Sequence, residues 1–408
     1  MSTADNEAAE PEPTPLLEPT DGVPPLATSD HEISSAAELL ASGHGPFAVD
    51  AERASGFRYS NRAYLIQVRR AGAGTVLLDP VGVDGDPAGS LRPIAEVLSS
   101  ETWILHAADQ DLPCLSELGM RPPALYDTEL AGRLAGFERV NLAAMVRRLL
   151  GLGLAKGHGA ANWSKRPLPP AWLNYAALDV EVLLDLKEAI EEVLAEQGKT
   201  GWAEQEFEYL RHAEPPQQRR DRWRRTSGIH KVGDPRALAA VRELWTTRDE
   251  IARRRDIAPG RILPDASIID AALADPKTAE DLTALPVFGG PRQRRNAGTW
   301  LKALNRAREN PEPPSPPDVS NGPPPVSRWN RRKPEAAARL QAVREGLAEL
   351  SEQVGVPTEN LVSPDLVRRL CWDWAGGDAG SIDTFLRDGG ARQWQRELVV
   401  PVMAAALS

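Results

Sequence analysis

A chain of 408 residues, 41% of them apolar and 26% charged, is long enough for two or three domains that each bury a core of their own. No run reaches the roughly eighteen consecutive apolar residues of a membrane span, and the opening MSTADNEAAEPEPTP places acids where a secretory signal carries positive charge, so a soluble cytoplasmic chain is expected. Two distant cysteines, Cys114 and Cys371, exclude a disulfide framework and a cysteine-built zinc site, and the net charge of -10 is unevenly spread, with no Lys or Arg before Arg53.

Residues 1–35 are rich in Pro and Glu without sustained apolar periodicity and are expected to form an acidic, disordered tail. PFAVDAE, AYLIQVRR and GTVLLDP then read as three successive strands. A helix at SLRPIAEVLSS, a buried strand at ETWILHA and a helix at DLPCLSEL follow. TELAGRLAG, NLAAMVRRLLG and WLNYAALDVEVLLDLKEAIEEVLAEQG carry apolar residues at three- and four-residue intervals, so helices close an α/β domain over residues 36–205. Residues 206–229 read as a basic helical connector and 230–310 as a compact all-α domain broken at LPVFGGP. Eight prolines in the fifteen residues PEPPSPPDVSNGPPP predict an extended linker over 311–330, and a further helical domain spans 331–408.

Three places carry acids in patterns that bear on chemistry. In FAVDAE the strand period puts Asp50 and Glu52 on one face, opposite Phe47, Val49 and Ala51. Paired carboxylates on a buried strand are costly unless a cation neutralises them, and such hard oxygens suit Mg²⁺ or Mn²⁺; the plain alternative is a strand end meeting water. In ILHAADQDLPCL, Asp109 and Asp111 lie in the turn after a strand, where α/β sheets bind ligands, although either acid could instead cap the next helix. His106 reads as a core histidine with ligation as the alternative. In NYAALDVEVLLDL, Tyr175 and Asp179 are four residues apart and share a helical face, as an ordinary boundary pair would. Together, four carboxylates are about what two divalent ions need for in-line displacement at phosphorus. Tyr175 is a poor base, so its role is to orient the attacking water.

These motifs, in this order and spacing, resemble the DEDDy exonucleases and, among them, bacterial ribonuclease D. FAVDAE is similar to the first motif, with Ala51 where Thr is frequent; LHAADQDL to the second; YAALDV to the third. The likeness continues through AYLIQV and WSKRPLPPAWLNYAALDV and covers about residues 35–200. It implies a ribonuclease H-like α/β exonuclease domain with a mixed sheet, the metal ligands Asp50, Glu52, Asp111 and Asp179, and the subclass tyrosine at Tyr175. Residues 230–308 resemble an HRDC domain through LPVFGGPRQRRNAGTWLKAL, and residues 333–407 are expected to be a second, degenerate copy.

The resemblance implies 3′-to-5′ trimming of RNA with a free 3′ end, tRNA and other stable-RNA precursors included, by a chain expected to act as a monomer. Because a carboxylate centre repels a polyanion, separate positive surface is needed. The segment 291–308 has six basic residues and no acid, so Arg292, Arg294, Arg295 and Lys302 are candidate nucleic-acid contacts, with Arg306 and Arg308 beside them. Trp223 among arginines could stack a base, but packing of the connector on the catalytic domain is the stronger expectation. A DNA exonuclease of the same fold and a non-catalytic RNA-binding protein are the rival readings. The absence of G-x-x-x-x-G-K-[ST] argues against a bound nucleotide cofactor and a helicase.

Overall fold

A computed structural model describes residues 12–83, 85–155, 157–214, 221–309, 314 and 322–408. Its centre is a six-stranded mixed sheet in the order β2 (Leu26–Ala27), β5 (Gly74–Leu78), β4 (Ala63–Ala71), β3 (His44–Arg53), β6 (Trp103–Leu105) and β7 (Leu125–Asp127). The long central strand β3 (His44–Arg53) runs antiparallel to β4 (Ala63–Ala71), which in turn pairs antiparallel with β5 (Gly74–Leu78). The chain reverses between β4 and β5 through Gly72 and Gly74, both at positive φ, a conformation that glycine adopts without strain. On the other side, β6 (Trp103–Leu105) pairs parallel with β3 and β7 (Leu125–Asp127) with β6. Buried Phe47, Val49, Leu65, Ile66 and Ile104 explain why these segments read as apolar runs.

The expected tail is shorter than residues 1–35. Residues 1–11 lie outside the described residues, but β1 (Thr14–Leu16) pairs parallel with β8 (Leu152–Leu154), and β2 (Leu26–Ala27) extends the sheet edge at β5. Strands of two or three residues held by other elements' backbone leave no periodic trace in the sequence. A local signal was present: Ser29 and Glu32 form a capping box that opens the helix Asp30–Ser42.

The helices Pro170–Glu181 and Leu183–Glu196 pack on the sheet and meet at Val182. The next helix, Thr200–Arg211, joins the catalytic domain to the C-terminal helices. Trp202 stacks on Trp394 at 4.9 Å, and Arg392 grips the buried Glu206 with bonds of 2.6 and 2.7 Å, so one continuous core runs through both units. The linker expected over 311–330 is likewise shorter among the described residues. Trp329 is buried and donates to the Pro324 carbonyl at 2.7 Å, and Arg368 binds the Pro323 carbonyl, because an indole needing a core overrides the proline-rich context.

The middle helices, Pro235–Arg255, Asp265–Ala274 and Ala297–Glu309, build a separate core around Trp300 and Phe288. Trp223 is buried in this core, on which Tyr59 of the catalytic domain also packs, and the neighbouring Arg222 donates to the Tyr59 hydroxyl at 3.5 Å; the Trp223 indole donates to Asp221 at 3.2 Å. This unit docks on the loop after β3. Asp256 accepts from the Tyr59 and Ser60 amides at 3.1 and 2.8 Å, and Arg261 donates to the Gly56 carbonyl at 2.7 Å.

Candidate active site

The site is built around β3. Asp50 and Glu52 share the face that looks away from Ala51, and the register sets Asp50 opposite Gln67 of β4. Gln67 is fully buried and donates its side-chain amide to the Asp50 carboxylate at 2.9 Å, which fixes one of its two oxygens. The helix Pro170–Glu181 crosses β3, β4 and β5 and delivers Asp179. Carboxylate oxygens of Asp50, Glu52 and Asp179 lie within 4.8 Å of one another, the one such group among the described residues.

Asp111 lies outside that tight group but lines the same cavity, of about 670 Å³, together with Asp50, Glu52, Tyr175 and Asp179. It occupies the N-cap position of the helix Leu112–Glu117, yet its side chain makes no capping bond, so the capping explanation fails for it. It is 4% exposed, and its Oδ1 has no hydrogen-bond partner, though the Arg53 guanidinium stands 3.5 Å away. Asp109, by contrast, is exposed and is not among the residues lining the cavity.

The turn that presents Asp111 passes through Ala107, a non-glycine residue at φ 61. Asp127, at the end of β7, holds it there. Its carboxylate accepts from the Ala107 and Ala108 amides at 3.1 and 2.8 Å and also caps the helix Thr128–Leu134. Asp127, Gln67 and Arg53 are supporting residues that sequence reasoning missed. The run Asp127-Thr128-Glu129 is a helix-start pattern that could have flagged the first, whereas nothing local marks the other two.

Tyr175 is half-buried and stands beside Asp179, one turn on along the same helix. Burial, followed by the neighbouring Asp179 and Glu52 charges, pushes the phenol further above its ordinary range, so it stays protonated and can donate. A Cβ on Gly157 would fall inside the Tyr175 ring, which makes glycine obligatory there, and His158 packs edge-on to the same ring at 5.8 Å. His106 bonds Thr128 at 2.9 Å, and burial depresses its pKa to about 4, so it is neutral at pH 7.

The acids are strongly mismatched to their surroundings. Burial raises Asp50 to about 6, and burial followed by the Asp50, Asp179 and Asp111 charges raises Glu52 to about 10. Asp111 and Asp179 are pushed well above the usual carboxylate range, in both by burial first and then by Asp50. Clustered, dehydrated carboxylates, with a buried Asp111 oxygen that accepts no hydrogen bond, fit a hard divalent cation.

The basic candidates lie elsewhere. Arg294, Arg295 and Lys302 are exposed in the middle helical unit, and none of them lines the acid cavity. Arg292 is engaged with the Arg261 carbonyl at 2.8 Å, Arg306 with Glu243 and Thr247, and Arg308 with Asp275.

Residues 26–195 match the family model described as 3′-5′ exonuclease, 237–304 that of the HRDC domain, and 322–407 that of the 3′ to 5′ exonuclease C-terminal domain. The last of these stands where a second HRDC copy was expected. A protein from Bifidobacterium adolescentis of known crystal structure is 37% identical, with a TM-score of 0.88 over 97% of this chain and 100% of that one. Escherichia coli RNase D, at 22% identity and a TM-score of 0.65 over 94% of this chain and 98% of that one, shares the fold. Ribonuclease D of Granulibacter bethesdensis is 30% identical over 310 residues, 74% of this chain and 75% of the relative. Fold and site together therefore define a 3′-to-5′ exonuclease with a ribonuclease H-like catalytic domain. The chain belongs to the ribonuclease D family.

Proposed function

We propose that this chain removes 5′-mononucleotides one at a time from RNA bearing a free 3′ hydroxyl, using two divalent cations, Mg²⁺ or Mn²⁺, held by Asp50, Glu52, Asp111 and Asp179. The observation that carries the reading is the convergence of these four acids and Tyr175, from three distant stretches of sequence, on one cavity. When bound, the cations would lower the pKa of a water and offset charge at the phosphoryl group. The chain's own residues do the rest. Tyr175 keeps its proton and directs the water by hydrogen bonding, Gln67 fixes the Asp50 carboxylate, and Asp127 holds the turn that presents Asp111. Exposed Arg294, Arg295 and Lys302 bring in the RNA. Cytoplasmic precursors of tRNA and other stable RNAs are the proposed substrates, trimmed by a monomer. No helix among the described residues is long and apolar enough to cross a membrane.

The test is an assay of matched RNA and DNA oligonucleotides with free or blocked 3′ ends in Mg²⁺ and in Mn²⁺. Mononucleotide release from RNA with a free 3′ hydroxyl, and none from the blocked RNA, is the expected result. Equal or faster release from DNA would overturn the RNA assignment, and no release under any condition would favour a binding protein.

A further inference from the structure

The segment just before the catalytic domain, residues 14–21, runs across the outside of the helix that carries Tyr175 and Asp179. It is tied to that helix at two places. The Asn174 side-chain amide donates to the Leu17 carbonyl at 2.8 Å, and the Thr20 amide donates to the Glu181 carboxylate at 3.2 Å. Asn174 and Glu181 are seven residues apart, two helical turns, and so share one face. That face lies about 120° around the axis from the one bearing Tyr175 and Asp179, at about 100° per residue. Gripping it at both ends therefore sets the rotation of the helix and the direction in which the two site residues point.

The same segment also holds the opposite wall of the Tyr175 slot. β1 pairs with β8 along its whole length, and the Thr14 amide donates to the Gly151 carbonyl at 2.8 Å. Directly after β8 the chain passes Ala155 and Gly157, which line a second cavity of about 290 Å³ with Leu154, Tyr175, Asp179 and Asp50. Asp21 completes the tie through Arg69 at 3.3 Å, and Arg69 reaches Glu181 at 2.9 Å. One short segment thus binds both the helix that carries Tyr175 and the loop that packs against its ring.

Resting on the exonuclease reading, we propose that residues 14–21 are a positioning strap for this reaction. It holds the helix Pro170–Glu181 against β8 so that Tyr175 and Asp179 stand at their working distance from Asp50 and Glu52, with Asn174 and Glu181 as its positioning residues. The strap touches no substrate. Its loss misplaces the water-directing hydroxyl and leaves RNA binding by the basic helices intact.

The experiment compares the full chain with truncations lacking residues 1–11 and 1–21, the first keeping the strap and the second removing it. On RNA with a free 3′ hydroxyl, removal of 1–21 is expected to lower kcat about 10- to 100-fold with KM within about threefold, the range for a misplacement near 1 Å. Removal of 1–11 leaves both constants unchanged. Added peptide of residues 12–21 restores part of the lost kcat. Hydrogen exchange, read without substrate, is expected to speed up in residues 152–157 and 172–181 only when the strap is absent. Equal kcat and equal exchange for the two truncations would overturn the proposal. If the shorter chain does not fold, Asn174→Ala and Glu181→Ala decide, since each removes the donor or acceptor of one tie and a kcat within about twofold of wild type in both would refute it equally. Altered exchange in a chain with no nuclease activity at all would uphold the strap as a positioning element and refute the exonuclease reading instead.

Discussion

Replacing Glu52 by Gln is expected to make the metal-free protein more stable at neutral and alkaline pH, because Glu52 sits 7% exposed beside Asp50 and Asp179. Its carboxyl is raised from 4.5 to about 10, first by burial and then by Asp50, Asp179 and Asp111. The folded chain therefore holds a proton that the unfolded chain releases. Stability from this group is fully present below the unfolded value of 4.5 and is lost as pH rises from there towards about 10. One retained proton costs about 1.4 kcal/mol per pH unit, so about 3 kcal/mol disappears between about pH 6 and 8. That corresponds to about 6–12 °C in the Tm of a domain of about 150–250 residues. Glutamine keeps the shape and has no proton to lose, so its pH slope is shallower. The assay is thermal unfolding by circular dichroism in EDTA at a series of pH values, repeated with Mg²⁺ or Mn²⁺. In the wild type the cation is expected to restore the lost Tm at the alkaline end, and in Glu52→Gln to restore much less. Identical pH slopes for the two proteins in EDTA would refute the reasoning, as would a cation with no effect on the wild type.

Asp111→Asn is expected to lower kcat on RNA by about 100-fold or more, the scale on which catalytic electrostatics act, while Asp109→Asn stays near wild type; the reverse ranking in the same assay would move the site to Asp109. Tyr175→Phe keeps the ring against Gly157 and loses the hydroxyl, so kcat should fall about 10- to 100-fold with little change in KM, and an unchanged kcat would exclude the water-directing role. Charge reversal at Arg294 and Arg295 should weaken RNA binding more at low salt than at high, measured by fluorescence anisotropy; unchanged affinity at both would remove those residues from the RNA path.

The parts legible in the sequence are those where a pattern extends over several residues. β3 announces itself by a short β-rich apolar run, and the strand period within it places Asp50 and Glu52 together. The four-residue spacing puts Tyr175 and Asp179 on one face, and the helix Pro170–Glu181 bears this out. The choice between Asp109 and Asp111 is different in kind, because either acid suits the start of a helix: the resemblance pointed to Asp111, and the fold buries Asp111 and exposes Asp109. Gln67 and Arg53 become supports through strand register and a turn, which no local pattern encodes. The strands Thr14–Leu16 and Leu26–Ala27 escaped for a related reason, since runs so short are defined by their partners and not by their own side chains. Trp223 fell to the middle helical unit because a lone aromatic residue in a basic stretch does not say which core will accept it.

The most direct measurement is single-turnover release of 5′-mononucleotide from RNA with a free 3′ hydroxyl, with Mg²⁺ or Mn²⁺ added back to EDTA-treated protein, for wild type, Asp50→Asn and Asp179→Asn. The wild type should release mononucleotide only with the cation, and both variants should lose activity by at least about 100-fold while remaining folded. Wild-type rates in either purified variant, or full activity in EDTA, would contradict the carboxylate centre at β3.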